Sequence, residues 1–374
     1  MNFPSLFSPI KIGPYQLTHR LALAPLTRMR AAKPSLAPRP LNVEYYAQRA
    51  TPGGLLIAEA SPVMATAFGS PGVPGIYTEA QVAGWREVVD AVHAKGGVIF
   101  LQLWHVGRIS HSSFQPGGVL PVAPSAVAIA DLKTGTADGK SAPYETPRAL
   151  ETSEIPGVID AYRQAAKNAL KAGFDGVEIH GANGYLIEQF LQSQSNLRTD
   201  QYGGSIENRA RFLMEVTKAV VEVWGADRVG VRLSPYGIAN GSGEPDPMPL
   251  YTHAIEQLNP LGLAYLHFIE PRSSGTGRAE VNWEGKPSAM VLFRPIWKGV
   301  LITAGGFSGE AADAAIRDGF ADIIAFGRIF ISNPDLPRRL QHGFPLTPYN
   351  RATFYGGEEA GYTDYPEHGE LEKA

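Results

Sequence analysis

Eight short apolar runs, rich in leucine or β-branched residues, recur along the chain, and each ends near glycine, proline or a polar residue. Runs of this length and composition predict buried β-strands. They lie at residues 21–26, 55–60, 98–103, 176–180, 229–233, 264–269, 300–304 and 322–326. Between them, apolar residues recur with the three-to-four-residue spacing of an amphipathic helix. The pattern therefore predicts strands and helices in strict alternation.

Start signals mark several of the predicted helices. Thr78 opens the sequence TEAQ, which is a capping box with Gln81 three residues on. Ser153 precedes a long amphipathic run to Lys171, and Ser205 begins SIENRARFLMEV. The other predicted helices cover residues 42–49, 249–257, 288–297, 308–318 and 335–341.

Eight strands that alternate with eight helices are typical of a closed (β/α)8 barrel, because each helical crossover returns the next strand in the same direction. The sequence therefore predicts an α/β chain folded as a single TIM barrel over residues 1–374. A doubly wound sheet is the alternative. That fold needs about five or six strands and usually the fingerprint GxGxxG, which the sequence does not contain.

Three segments lie outside the repeated pattern. Residues 1–20 include PIKIGPYQLTHRL, which predicts a hairpin that turns at Gly13 and Pro14 and closes the barrel floor. Residues 104–152 follow the third strand and are too long and too rich in Pro, Gly and Ser for a simple loop, which predicts a cap over the barrel mouth. Residues 343–374 form a C-terminal tail, which we expect near the same mouth.

Charge and composition exclude several classes of function. The chain has 33 Lys+Arg against 36 Asp+Glu, so it has no excess positive charge for nucleic acid or anionic lipid. Its longest apolar stretches run about eight residues, well short of the roughly 20 that cross a bilayer. Since the start also lacks a secretory pattern, we expect a cytoplasmic protein with no nucleic-acid or membrane partner. The absence of cysteine excludes disulfides, thiolate nucleophiles and Cys-ligated clusters, and we expect no metal site.

The segment VEIHGANGYLIEQFLQSQSNLRTDQYGGS carries the most chemistry and begins on the predicted fourth strand. Alternation along a strand puts Glu178 and His180 on one face, with His180 at the inner rim of the barrel mouth. Asn183 and Tyr185 follow in the next turn. Two hydrogen-bond donors and a phenol can bind a carbonyl or nitro oxygen and supply a proton. A rim histidine bonded only to local backbone is the alternative, and the two neighbours argue against it.

Other strands direct further polar groups to the same mouth. Gln102 and Trp104 share one face of the third strand. The Gln102 amide suits the amide edge of a ligand such as a pyrimidine, or else bonds to the backbone of a neighbouring strand. Arg232 on the fifth strand either neutralises an anion that forms during reaction or pairs with Glu178.

The last two strands predict an anion site. Gly305 and Gly306 follow the seventh strand in ITAGGFSGE, and Gly327 and Arg328 follow the eighth in AFGRIF. TIM barrels commonly bind phosphate in this region, through glycine N–H groups and a helix N-terminus. Glycines that serve only tight turns are the alternative.

With these residues the chain resembles the Old Yellow Enzyme family of FMN-dependent ene-reductases, nearly from end to end. The motifs are LFSPIKIG, HRLALAPLTRMRA, LLIAEA, LQLWHVGR, the long fourth-strand segment, VGVRLSP, ITAGGF, AFGRIFISNPDLPRRL and TFYGGEEAGYTDYP. The resemblance implies one FMN-binding domain, with FMN held non-covalently in the barrel mouth and NADPH or NADH as the reductant. Thr27 resembles the hydroxyl that bonds the flavin near C4=O in the threonine branch of the family.

The resemblance also implies a role for each matching residue. It places around the isoalloxazine Pro25, Thr27, Ala58, Gln102 and Arg232, and at the phosphate Gly306, Gly327 and Arg328. It implies that His180 and Asn183 bind the oxygen of the substrate's electron-withdrawing group and that Tyr185 delivers a proton. Trp104 and Tyr355 resemble residues that shape the substrate pocket.

The implied activity is the reduction of activated C=C bonds in α,β-unsaturated carbonyl or nitro compounds. Both steps of the reaction use one site, because the nicotinamide leaves before the alkene binds. Nitrate esters and nitroaromatics are further substrates that such a pocket can reduce. The residues alone leave two other functions open. One is a flavin-free lyase or isomerase that acts on a phosphorylated metabolite through His180 or a lysine; the other is a barrel that binds flavin without catalysis.

Overall fold

The computed structural model describes residues 2–271 and 287–369, in which eight parallel strands close into one barrel. The order of strands around the barrel is their order along the chain. The strands are β1 (Leu21–Leu23), β2 (Leu55–Pro62), β3 (Val98–Trp104), β4 (Gly176–Gly181), β5 (Val229–Leu233), β6 (Tyr265–Ile269), β7 (Leu301–Ala304) and β8 (Ile323–Phe326). The predicted (β/α)8 barrel is confirmed. β1 ends three residues before the predicted boundary, because Pro25 has no N–H to donate to a ladder.

The helices begin at most of the predicted signals. Thr78 and Gln81 form the predicted capping box, in which each side chain bonds the backbone of the other residue. Ser205 and Ser308 each accept a backbone N–H at their helix start. The helices are α1 (Pro40–Arg49), α2 (Glu79–Ala94), α3 (Ile155–Ala172), α4 (Leu186–Leu191), α5 (Ile206–Trp224), α6 (Pro247–Leu258), α7 (Ala289–Phe293), α8 (Gly309–Arg317), α9 (Arg328–Ile331) and α10 (Leu336–His342).

Three helices depart from the predictions. α7 ends at Phe293, before the predicted residue 297, since Pro295 has no N–H to donate to the carbonyl of Val291. α4 and α9 were not predicted, because helices of six and four residues are too short to show a periodic pattern. No helix in the described part of the chain is both long and apolar enough to cross a membrane.

Side chains inside the barrel fill its lower half. The strands Ile10–Ile12 and Tyr15–Leu17 pair as an antiparallel hairpin that turns at Gly13, which has a φ of +50°. Ile12 and Leu17 are fully buried and belong to the cluster that fills the barrel interior. The hairpin therefore closes the barrel floor.

Two segments surround the mouth at those ends. The segment that follows β3 contains an antiparallel hairpin, in which Lys133–Gly135 pairs with Ser141–Pro143. The C-terminal segment is held by buried arginines. Arg28 donates to the carbonyl of Phe354 at 2.9 Å, and Arg30 donates to the carbonyl of Glu358 at 2.9 Å. Both segments thereby contribute side chains to the space above the barrel.

Candidate active site

A cavity of ≈ 530 Å³ opens at the carboxyl ends of the barrel strands. Ligand pockets of about 300–1,000 Å³ are typical of proteins that bind cofactors. The cavity is lined by nearly all of the predicted site residues: Pro25, Thr27, Gln102, Trp104, His180, Asn183, Tyr185, Arg232, Gly305, Gly306, Gly327, Arg328 and Tyr355.

Ala58 is the exception, and its expected place at the flavin is wrong. Its side chain packs in the cluster between the barrel and the helices, and Ala60 lines the cavity instead. Ala58 shares the outward face of β2 with Leu56, whereas Leu55 and Ile57 point into the barrel. A β-bulge follows: between the pairs Ala58–Leu101 and Ser61–Leu103, β2 has one residue more than β3, which brings Ala60 to the cavity. The N–H of Glu59 within the bulge donates to the hydroxyl of Tyr46.

A buried carboxylate fixes the side chain of Gln102. Glu178 lies opposite Gln102 in the β3–β4 ladder and accepts a hydrogen bond from the Gln102 amide at 2.6 Å. The other oxygen of Glu178 bonds Nδ1 of His267 at 2.8 Å. Because the amide N–H points to Glu178, the carbonyl oxygen of Gln102 remains to accept a donor from the cavity. Gln102 therefore bonds a side chain of the neighbouring strand, and not its backbone, and it also lines the cavity.

Arg232 lies between two histidines that are neutral at pH 7. Its neighbours in the strand ladders are His180 on β4 and His267 on β6. Burial lowers the pKa of His180 well below its ordinary value, and the charge of Arg232 lowers it further. Burial also lowers the pKa of His267 to about 4. Burial raises the pKa of Glu178, but His267 and Arg232 outweigh it and hold that pKa below its usual value.

On strands β4 and β5, two buried side-chain nitrogens have no hydrogen-bond partner among the described residues. They are Nδ1 of His180 and Nε of Arg232. Leaving such a group unpaired costs about 1–3 kcal/mol, so native proteins seldom do so without a ligand or water in place. Both residues line the cavity. The site therefore has the unfilled hydrogen-bonding capacity of a binding site.

Three rings form one wall of the cavity. The ring of Tyr185 lies 4.9 Å from that of Trp104 and 4.9 Å from that of His180, edge-on to both. Asn183 lies in the turn between β4 and α4 and has a φ of +60°. Its backbone N–H donates to the hydroxyl of Ser234 at 2.9 Å. The turn thus brings an imidazole, an amide and a phenol to the same wall.

The loops after β7 and β8 meet at the opposite side of the cavity. Gly305 has a φ of +134°, a conformation that side chains rarely adopt, and a Cβ there would lie 3.0 Å from Cβ of Glu270. A Cβ on Gly306 would lie 3.6 Å from Nη2 of Arg328. The Arg328 guanidinium therefore lies beside exposed glycine backbone, an arrangement that suits a phosphate.

Further cavity residues could not be found from the sequence. Phe114, Thr134 and Tyr144 reach the cavity from the segment after β3, and Phe354 reaches it from the C-terminal segment. The length of residues 104–152 indicated a cap, but no periodicity shows which of its side chains point inward. Within the described ranges, no three His, Cys, Asp or Glu side chains come together as a metal site.

The model of the NADH:flavin oxidoreductase / NADH oxidase family matches residues 5–347. The chain belongs to this family. The assignment confirms the resemblance to the Old Yellow Enzymes. The chain is 48% identical over 364 residues to 12-oxophytodienoate reductase 1 of Oryza sativa subsp. japonica, which covers 96% of this chain and 92% of that protein. It is 46% identical over 363 residues to 12-oxophytodienoate reductase 2 of Arabidopsis thaliana, and that alignment covers 96% of this chain and 95% of the relative.

Solved structures of a further relative match the whole fold. Morphinone reductase in complex with tetrahydroNAD superposes with a TM-score of 0.90 at 48% sequence identity, over 98% of each chain. The barrel, its order of strands and the surroundings of its mouth are therefore those of the family, and not only of TIM barrels in general.

Proposed function

We propose that the protein is an FMN-dependent NAD(P)H oxidoreductase that reduces activated C=C bonds of α,β-unsaturated carbonyl and nitro compounds. One observation carries the proposal. A neutral His180, Asn183 and the phenol of Tyr185 share one wall of a cavity, while phosphate-binding geometry lies across from them. Membership of the flavin oxidoreductase family and relatives named as reductases support the same activity.

The cavity suits FMN, whose imide edge carries both acceptors and a donor. Gln102 presents a carbonyl oxygen to the imide N–H, and the unpartnered Nε of Arg232 suits an oxygen or an anionic nitrogen of the ring. Pro25 and Thr27 lie on the cavity wall. At the phosphate end we assign Gly306, Gly327 and Arg328, whose backbone and guanidinium N–H groups all donate.

When bound, FMN would supply the redox chemistry, which is hydride transfer from the nicotinamide to the β-carbon of the alkene. His180 and Asn183 donate hydrogen bonds to the carbonyl or nitro oxygen of the substrate and so stabilise the negative charge that develops there. Because the pKa of His180 is low, its imidazole acts as a neutral donor. The O–H of Tyr185 gives its proton to the α-carbon, which completes the saturated product and leaves a phenolate that takes a proton from solvent before the next turnover.

The nicotinamide and the alkene use the same wall in turn. The morphinone reductase relative has been solved with tetrahydroNAD, and the family name itself joins NADH to flavin. A single cavity shared by both substrates needs no separate dinucleotide-binding domain. We therefore assign NADPH or NADH as the reductant and a small activated alkene as the oxidant, with nitrate esters and nitroaromatics as further acceptors.

Product analysis tests the proposed activity. The purified protein, supplied with FMN, NADPH and cyclohex-2-enone under nitrogen, should yield cyclohexanone and one NADP⁺ for each ketone formed. Omission of FMN from protein stripped of flavin should abolish the product. A protein that binds FMN and consumes no NADPH under these conditions would instead be a non-catalytic flavin binder. One that takes up no FMN would favour the flavin-free lyase or isomerase.

A further inference from the structure

Glu188 is a buried carboxylate behind the wall of the cavity, and it does not line the cavity itself. It lies on α4 and is fully buried. One of its oxygens, Oε1, accepts hydrogen bonds from the hydroxyls of Ser234 at 2.6 Å and Tyr251 at 2.7 Å. The other, Oε2, accepts the backbone N–H of Gly184. Three donors therefore converge on one side chain.

Two of those three contacts lead to the turn that carries the substrate-binding groups. Gly184 N–H reaches Glu188 directly, and Asn183 N–H reaches it through the hydroxyl of Ser234, which accepts from Asn183 and donates to Glu188. Successive N–H groups that converge on an anion in this way form a small anion-binding concavity. Here the anion is part of the chain, so it fixes the direction of both peptide groups.

The turn needs such support because its backbone conformation is energetically unfavourable. Asn183 and Gly184 have φ values of +60° and +79°. A residue other than glycine in this region costs of the order of 1–3 kcal/mol and persists only where its surroundings hold it. Neutral amides hold the carbonyl groups: Asn240 donates to the carbonyl of Asn183 at 2.9 Å and Gln189 to that of Gly184 at 2.7 Å. Glu188 holds the N–H groups of Asn183 and Gly184.

Only a carboxylate satisfies all three donors at this place. A glutamine has one oxygen, and its NH₂ group would face a donor. We infer that Glu188 is the positioning residue of this site, which sets the orientation of the Asn183 amide and of the Tyr185 phenol and thereby the affinity for the substrate's oxygen. The inference rests on the proposed function, since it assumes that these groups bind an activated alkene.

The surroundings of Glu188 make its charge sensitive to pH. Burial raises the pKa of Glu188 to about 7, against the opposing effect of its bonds to Ser234, Tyr251 and Gly184. No positively charged side chain in the described part of the chain forms an ion pair with it. Glu244, whose charge acts on Tyr251, has a partner of its own in Arg209 at 3.2 Å.

The first experiment compares wild type with Glu188→Gln. The dissociation constant of cyclohex-2-enone is measured on the oxidised holoenzyme from the change in flavin absorbance, with FMN content determined for each protein. We expect Glu188→Gln to retain FMN and to bind the enone roughly tenfold more weakly, the size of effect expected for a hydrogen bond to a charged group. Wild-type affinity should fall as the pH drops through about 7, whereas the variant should show no change over that range.

A matched pair of variants separates positioning from general support of the core. Ser234→Ala and Tyr251→Phe each remove one hydroxyl donor from the same carboxylate oxygen, but only Ser234 connects it to Asn183. We expect Ser234→Ala to weaken enone binding at least fivefold or so and Tyr251→Phe to change it less than about twofold. This pair decides the matter even where Glu188→Gln does not fold.

Equal effects of the two hydroxyl deletions, or wild-type affinity and pH dependence in Glu188→Gln, would overturn the inference and leave the proposed function standing. Failure of the wild type itself to bind the enone and to reduce it would overturn the proposed function, and the inference with it. The two failures are therefore distinguishable in one set of measurements.

Discussion

The ring of Tyr185 meets the ring of His180 edge-on, with the two centroids 4.9 Å apart and the planes at 74°. His180 is the last residue but one of β4 and Tyr185 directly precedes α4, so the junction of β4 and α4 fixes the distance between them. A substrate whose oxygen is bound by His180 would therefore also lie close to the Tyr185 phenol. This relationship underlies the roles that we propose for both residues.

Tyr185→Phe removes the proton donor and keeps the ring that packs against Trp104 and His180. We expect alkene reduction to slow by roughly 10²–10⁴-fold, the usual contribution of a general acid. Reduction of the flavin by nicotinamide needs no such proton and should stay within a few fold of wild type. Stopped-flow measurement of the two half-reactions checks this, and an equal loss in both would make Tyr185 a structural residue.

His180→Ala removes one of the two donors to the substrate's oxygen. Loss of a single donor of this kind costs about 3 kcal/mol of transition-state stabilisation. We therefore expect the oxidative half-reaction to slow by the corresponding factor of about a hundred or more, with FMN retained. The rate of flavin reoxidation by cyclohex-2-enone measures the effect. A change of less than a few fold in both rate and enone affinity would remove His180 from the site.

Arg328→Ala should weaken the retention of FMN, because its guanidinium lies beside the glycine backbone that we assign to the phosphate. The flavin released on gel filtration of the holoenzyme measures the loss. Arg317→Ala is the matched control, since Arg317 is an exposed residue of α8 that pairs with Asp318. Equal flavin occupancy in the two variants would disprove the phosphate role of Arg328.

Glu59 provides a test of the buried electrostatics near the bulge in β2. It accepts the backbone N–H of Arg28 at 3.0 Å, and burial raises its pKa from 4.5 to about 7. Between these two pH values the folded protein binds more protons than the unfolded chain. The contribution of Glu59 to the free energy of unfolding is therefore fully present below about pH 4.5 and is lost as the pH rises through 7.

Glu59→Gln cannot titrate, so it isolates this contribution. The free energy of unfolding of wild type minus that of the variant should fall by up to about 3 kcal/mol between pH 4.5 and 7.5 or so. Urea unfolding of both proteins at several pH values gives this difference. A difference that stays constant across the range would show that the carboxyl titrates at its ordinary pKa in the folded state.

The fold could be predicted because its signals are local. Apolar runs and capping residues such as Thr78 and Ser205 act within a few positions of the chain, and the structure places them as expected. The position of His180 at the rim follows from strand alternation alone. The position of Ala60 at the cavity could not be predicted, because the bulge that contains it depends on how β2 pairs with β3.

The residues that support the site could not be predicted from the sequence for a similar reason. Glu188 stands within the long fourth-strand motif, yet Ser234 and Tyr251, which bond it, lie 46 and 63 positions further along the chain. Phe114 and Tyr144 reach the cavity only through the fold of a long segment without regular period. Contacts between distant segments leave no pattern in a single sequence, so the structure was needed to find them.

The absorption spectrum of the purified holoenzyme under nitrogen tests the central claim most directly. With FMN in the barrel mouth, the yellow oxidised spectrum should bleach on addition of one equivalent of NADPH or NADH and return on addition of one equivalent of cyclohex-2-enone. A folded protein that takes up no FMN, or whose reduced flavin is not reoxidised by the enone, would contradict the account.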